Sequence, residues 1–312
     1  MPEVTVVIPT HDRSTLLSRT LRSVRRQGEV DLEVVVVDDG SRDDTAAMVA
    51  GLADPRVRLA RNERPQGVSA ARNRGIALAT GEWIALLDDD DLWAPDKLAA
   101  QLRAARRLGR QWACTGSVAV NDALEILAGG PPPSPEAIVR QLPLRNVVPA
   151  GASNVLVRRS ALEETGIFDP LLKHVADWDL WIRLGALGLP AVVDEPLVAY
   201  RLHTGNASTD AGAMAAELAR VAERYRTLRR DAPIDLAYAY RWAAWHYLRM
   251  GRRGPAVRAY ARAIAAGDAV SVGRALVALV DPGIARRRLK RHLRGAAWEA
   301  RAAAWLRELP VA

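Results

Sequence analysis

The stretch "LEVVVVDDGSRDDTAAMVAGL" (residues 32–52) decides the fold. Four consecutive valines run into a double aspartate, a glycine-bearing turn and then a helical pattern. A short β-branched run closed by turn residues reads as a strand buried on both faces. The same unit recurs outward from it. Upstream, "VTVVI" (4–8) ends at Pro9 and is followed by Ser14 to Arg26, with Leu17, Leu21 and Val24 at helical spacing. Downstream, "VRLAR" (57–61) is a third strand, and "SAARNRGIALAT" predicts a helix capped by Ser69 and closed by Gly81. "WIALL" (83–87) is a fourth strand. Strands alternating with helices at this spacing imply βαβ units and a mostly parallel sheet sandwiched by helices.

In such sheets ligands bind beyond the carboxyl ends of the strands. Here "PTHD", "DDGS" and "DDDD" all fall at those ends. The last run, Asp88 to Asp91, puts four carboxylates after an apolar strand, where they repel one another unless a cation neutralises them. Clustered hard oxygens select Mg2+ or Mn2+, which commonly share substrate phosphates. Four acids are more than a helix N-terminus needs. Likewise a turn uses at most one of Asp38 and Asp39, leaving the other for a ligand.

The totals fit a soluble globular chain: 312 residues, 49% hydrophobic and 26% charged. The single cysteine, Cys114, excludes an intramolecular disulfide and suits a reducing compartment. The N-terminus carries no signal-peptide pattern, and no apolar run has the roughly 18 residues of a membrane span. A cytoplasmic location is expected, with a peripheral position at the inner face of the plasma membrane as the second reading. Net charge is divided unevenly. Residues 1–210 hold 24 basic and 28 acidic side chains, and residues 211–312 hold 20 and 8.

"VVIPTHDR", "EVVVVDDGSRDDT", "GVSAARNRGIALATGEWIALLDDDDLWAPDKL" and "GIFDP…ADWDLWIRLGALG…YRLHTGNAS" together resemble the family 2 glycosyltransferases in order and spacing, over residues 3 to about 209. The resemblance implies a GT-A fold, Rossmann-like, as a catalytic domain over 1–209. It implies a divalent metal, inversion at the anomeric carbon, a nucleotide-sugar donor with UDP the commonest nucleotide, and a glycan or lipid-linked acceptor in polysaccharide or cell-envelope synthesis. Pro9, Thr10 and His11 fall where the family's first strand meets the nucleotide. Asp39 matches the acid that contacts the base, with Asp38 supporting its turn, and Arg72 lies near the diphosphate. Asp88 and Asp90 form the D-x-D, with Asp90 in direct metal coordination and Asp89 toward the ribose or sugar. Asp91 is a supporting group or a helix cap. His203 stands where relatives offer a histidine near the metal, a surface-loop histidine being the alternative. Asp177 matches the general base of a Glu-Asp pair whose glutamate is here Ala176. Asp179 and His174 are fallbacks for the base and the acceptor side. Trp178 and Trp181 read as packing residues.

"AGGPPPSP" (128–135) excludes helix and central strand and reads as a mobile loop over or beside the cleft, or equally as a plain surface linker. Residues 210–312 read as an all-α, basic C-terminal region. "YRWAAWHYLRMGRRGPAVRAYARAIAAG" is a helical hairpin turning at Gly251 to Gly254, similar to one tetratricopeptide unit. In 285–309, Leu289, Leu293, Ala296, Ala300 and Ala304 form one stripe and Arg287, Arg291, Arg294, Trp298 and Trp305 the other. That pattern suits Leu/Ala packed inward and Arg/Trp on an anionic membrane surface, the alternative being a solvated basic face with two partly buried tryptophans. Rival functions are a nucleotidyltransferase, an inactive sugar-nucleotide-binding module, and a nucleic-acid-binding protein using the basic tail. The last leaves the acidic cleft without a purpose, so no nucleic-acid partner is expected.

Overall fold

The computed structural model describes residues 1–203, 211–230, 232–280 and 295–309. The boundary expected at 209–210, the "TGNAS" end of the last motif and the basic run 285–294 lie outside the described residues.

The first half is the alternating pattern made real. β1 (Val4–Thr10), α1 (Ser14–Arg25), β2 (Leu32–Asp38), α2 (Thr45–Ala50), β3 (Val57–Arg61), α3 (Val68–Leu78) and β4 (Trp83–Leu86) follow in order. β1 pairs in parallel with β2 on one side and β4 on the other, and β2 with β3. Alternate residues of β1 serve opposite faces. Val4, Val6 and Ile8 pack with Leu17, Leu21 and Val24 of α1, while Val7 faces the other core. On that second face α3 lies so close that a Cβ on Gly75 would sit 2.3 Å from Val7 Cγ1. Because β2 and β4 flank β1, strand order reverses at β1, and the loops after β1 and β4 splay apart around a crevice.

The sheet continues with both antiparallel and parallel pairings. β5 (Leu92–Trp93), β6 (Trp112–Val120), β7 (Ile126–Gly130), β8 (Leu156–Arg158) and β9 (Ala191–Arg201) complete the order β3-β2-β1-β4-β8-β6-β9-β5, with β7 paired to β6. Between them lie α4 (Lys97–Leu108), α5 (Pro135–Gln141), α6 (Arg159–Thr165) and α7 (Ala176–Leu187). Two local expectations need correction. Residues 128–130 are strand, because an edge position beside β6 tolerates glycines and needs no second partner; the prolines begin only after it. Ser69 does not cap α3. Gly67 stands at that position with φ 95°, and the Ser69 hydroxyl donates instead to the Leu172 carbonyl; α3 ends at Leu78, before Gly81.

The C-terminal helices are α8 (Ala211–Arg224), α9 (Leu236–Arg249), α10 (Arg253–Ala265), α11 (Val270–Val280) and α12 (Gly295–Arg307). Met214, Leu218 and Val221 of α8 share a core with α7. α9 and α10 form the expected hairpin, turning at Gly251 with φ +71°. α12 corrects the membrane expectation: its tryptophans point inward. Trp298 fills a slot over Gly116, Trp305 donates from Nε1 to the Pro196 carbonyl at 2.9 Å, and both are buried, whereas Ala300 and Ala304 are exposed. An indole has far more apolar area to bury than an alanine methyl, so the Trp face wins the sheet. Leu289, Leu293, Arg287, Arg291 and Arg294 lie outside the described residues.

Candidate active site

The crevice at the strand-order reversal opens into a cavity of about 1360 Å³. Its floor is the loop after β4. Thr10 Oγ1, at the end of β1, donates to Asp89 Oδ2 at 2.7 Å, and Arg13 Nη1 reaches Asp89 Oδ1 and Asp90 Oδ2 at 3.0 Å each. His203 Nε2 lies 2.9 Å from Asp90 Oδ2. Arg72, over the Phe168 ring at 5.1 Å, pairs with Asp88. The backbone of this loop is pinned by Thr20 Oγ1, 2.9 Å from the Asp89 and Asp91 carbonyls, and by Arg201 Nε on the Asp90 carbonyl at 2.9 Å. Asp91 is neither at the cavity wall nor a helix cap: fully buried, it accepts from Ser153 Oγ and from Arg201 N.

The electrostatics follow from this crowding. Burial and the Asp90 charge push the Asp89 carboxyl above the ordinary carboxylate range, against Arg13 and Thr10. Burial acts on Asp90 too, but the His203 hydrogen bond and the Arg13 charge outweigh it and hold Asp90 low. Four acids therefore share the loop because cations already interleave with them. Hard donors stand here, the Asp90 carboxylate beside the His203 imidazole and the Asp88 carboxylate partly open to the cavity. Among the described residues no group of three or more His, Cys, Asp or Glu is arranged to hold a metal ion, and Arg13 supplies positive charge at Asp90.

The other sequence-derived residues separate into two sets. Pro9, Thr10, His11, Asp39, Arg72, Asp88, Asp89, Asp90, His174 and Asp177 all line the cavity. Asp38 does not. It is fully buried and accepts from Ser41 N at 2.8 Å, so it is the residue that holds the turn. Asp39 meets the N-terminal approach to α3, accepting from Gln66 N, Gly67 N and Asn62 Nδ2. His11 Nδ1 is 2.9 Å from the Asp39 carbonyl oxygen.

Asp177 enters from the first turn of α7. Its Oδ1 accepts from Trp178 N at 2.7 Å and its Oδ2 lies 3.4 Å from Asn146 Nδ2. Gly151, at φ +50°, makes room: a Cβ there would stand 2.9 Å from Asp177 Oδ2. Burial raises the Asp177 carboxyl, the Asp88 charge adds to this, and Arg72 opposes it. A raised carboxyl near a cavity is suited to accept a proton. The start of α7 is held by Glu217 of α8, whose carboxylate takes the N–H groups of Lys173, His174 and Val175. Asp179 is no alternative base, being buried among Arg183, Arg224 and Tyr225. Trp178 and Trp181 are packing residues, as expected.

Sequence reasoning passed over Arg13, Asn146, Arg201 and Glu217. Arg13 carried a signal. It occupies the N-cap position of α1, where a cation opposes the helix dipole, so its place needs another reason. Asn146 and Glu217 carried none.

Comparison with known proteins agrees with this geometry. Residues 5–166, just over half of the chain, match the family described as "Glycosyl transferase family 2". The succinoglycan biosynthesis protein ExoO of Rhizobium meliloti is 44% identical over 111 residues, 36% of this chain and 32% of the relative, so the chain spans about a third of that protein. The putative colanic acid biosynthesis glycosyl transferase WcaA of Escherichia coli is 29% identical over 214 residues, 65% of this chain and 74% of the relative. Among solved structures, S. aureus TarS in complex with UDP-GlcNAc superposes with TM-score 0.60 at 16% identity, covering 92% of this chain and 89% of that one. A Pyrobaculum calidifontis mannosyltransferase with GDP-Man and Mn2+ gives TM-score 0.55 at 22% identity, covering 97% and 86%. The fold is that of GT-A glycosyltransferases.

Proposed function

Because the chain belongs to glycosyl transferase family 2, we propose that it moves a sugar from a nucleotide-diphosphate donor, a UDP-sugar, to a hydroxyl of a glycan or lipid-linked acceptor, with inversion, in the building of a cell-envelope polysaccharide. One observation carries the reading: a single cavity is lined both by the Asp88–Asp90 loop and by Asp177. The relatives' names support the pathway class, and two of them name diphosphoundecaprenol-linked acceptors.

In this reading Asp39 and the end of β1 take the nucleotide, and Arg72 and Arg13 face its diphosphate. Asp88, Asp90 and His203 would hold a divalent ion, which when bound supplies neutralising charge to the leaving diphosphate. Asp177 takes the proton from the acceptor hydroxyl as that oxygen attacks the anomeric carbon, and displacement from the far face inverts the centre. No covalent intermediate is needed. Among the described residues no helix is long and apolar enough to cross a membrane. The exposed Leu276, Leu279 and Val280 of α11, and not the Trp face of α12, offer an apolar approach for a lipid-linked acceptor at a membrane surface.

The test is product release. The protein, incubated with Mn2+, a lipid-diphosphate-linked sugar as acceptor and a panel of sugar nucleotides, is expected to free the nucleoside diphosphate from one of them. Release of pyrophosphate from a nucleoside triphosphate supplied with a sugar 1-phosphate, with no nucleoside diphosphate freed from the sugar nucleotides, would transfer the case to a nucleotidyltransferase.

A further inference from the structure

The cavity is larger than the roughly 300–1,000 Å³ of a cleft for one small ligand, and its far wall is not made by the catalytic sheet. It is made by α9 and α11, beyond the residues that match the family. On α9, Tyr238, Arg241, Trp242 and Trp245 recur at i, i+3, i+4 and i+7, so one helix face turns to the cavity. The opposite face, Ala243, Ala244 and Leu248, packs on α10. Across the opening, Arg274 of α11 also lines the wall.

The two indoles form a built surface. Trp242 and Trp245 are stacked, with ring centroids 5.0 Å apart and planes 20° from parallel. His246, fully buried, meets both edge-on at 4.8 and 5.2 Å, and Tyr200 of β9 stands against it at 5.7 Å. The stack is thereby fixed to the catalytic sheet, yet Trp242 keeps 39% of its surface exposed. Beside it the charge is positive. Arg241 is paired with Asp268 at 2.8 Å and Arg145 with Asp235 at 3.3 Å, and the Arg274 charge reaches Tyr260 and Asp268. A paired guanidinium has five N–H donors and retains some for a second anion.

We propose that this wall is the acceptor subsite, where a sugar ring stacks on Trp242 and Trp245 and a phosphate attached to that sugar is held by Arg241 and Arg274. The apolar C–H face of a pyranose suits an indole, and a phosphate oxygen suits a guanidinium. The proposal rests on the reading of Asp177 as the base, since it places the acceptor on the side of the cavity away from the Asp88–Asp90 loop. The phosphate can belong to a soluble glycosyl phosphate or to a lipid diphosphate, and the experiment separates these.

Calorimetric titrations would use the full chain loaded with UDP and Mn2+. The probes are N-acetylglucosamine 1-phosphate, phenoxyundecyl-diphosphate-N-acetylglucosamine, and phenoxyundecyl phosphate without sugar. At least one phosphorylated sugar is expected to bind the wild type, about tenfold more weakly to Trp242→Ala and to Arg274→Gln, with Trp242→Phe largely restoring it and UDP affinity unchanged throughout. Binding of both phosphorylated sugars would mark a site for the sugar phosphate itself, and binding of the amphiphile alone a lipid-carried acceptor. The subsite is overturned if neither phosphorylated sugar binds a protein that binds UDP, if both variants bind like the wild type, or if the sugar-free amphiphile binds as well and depends equally on Trp242. Failure of UDP to bind the wild type would instead remove the donor reading, and the subsite with it.

Discussion

The two ends of the cavity are built on different principles. At the end formed by β1, β2 and β4, nearly every polar group is tied to another: Asp39 to three N–H groups, Asp89 to Thr10 and Arg13, Asp90 to Arg13 and His203. At the other end, α9 and α11 present aromatic and arginine side chains, with Trp242 and Arg274 exposed. The first end is held by strand ends and by burial, so its geometry is preset for one kind of ligand. The second is mounted on helices that can change face by face without disturbing the sheet. A donor common to many enzymes and an acceptor peculiar to each would produce this division.

The largest effect should come where the ends meet. Asp177→Asn is expected to lower turnover by about 10²–10⁴ while leaving donor affinity unchanged, measured as initial rates beside UDP titration. The pH profile sharpens the same assignment. Asp177 has a carboxyl raised by burial, so it is protonated, and useless as a base, up to a pH above the ordinary carboxylate range. Activity should fall on its acid side at that higher pH. A limb at an ordinary carboxylate pKa would argue for a different base.

Next in size is the anchor of α12. Trp298→Ala empties the slot over Gly116 and should cost about 3–5 kcal/mol in chemical denaturation, with UDP binding retained in the folded protein. A loss under 1 kcal/mol would mean that α12 is not seated on the sheet as described. Smaller again is Asp39→Ala, which takes the acceptor from the N–H groups of Gln66 and Gly67 and from the buried Asn62. It should cost about 1 kcal/mol of stability, since only the Asn62 donor is fully buried, and weaken nucleotide binding while sparing acceptor binding. Equal weakening of both would blur the division between the two ends.

The sequence reveals the end built on β1, β2 and β4 far better than the end built on α9 and α11, for a physical reason. Parallel strands buried on both faces must be continuous apolar runs, and ligands gather at their carboxyl ends, so "VVVVDDGS" and "WIALLDDDD" announce both element and site. Asp38 and Asp39 show the limit: adjacent and identical, they part only because pleat and turn send one inward to Ser41 and the other toward Gly67. The helices are harder. Alanine-rich amphipathic segments have two faces of similar cost, and periodicity alone cannot say which one a sheet will accept. α12 was expected with Leu/Ala inward, yet a groove beside Gly116, invisible in the local sequence, selected the tryptophans. Nor could spacing show that the Trp242 and Trp245 face of α9 would close a cavity begun some 150 residues earlier; only the tertiary path brings them together.

The most direct test of the donor site is calorimetric titration of UDP with Mn2+, and again with EDTA, into wild type and Asp90→Ala. The account predicts binding that needs the metal and is lost in the variant. Binding of equal strength in all four experiments would contradict it, showing that Asp90 and a divalent ion have no part in holding the nucleotide.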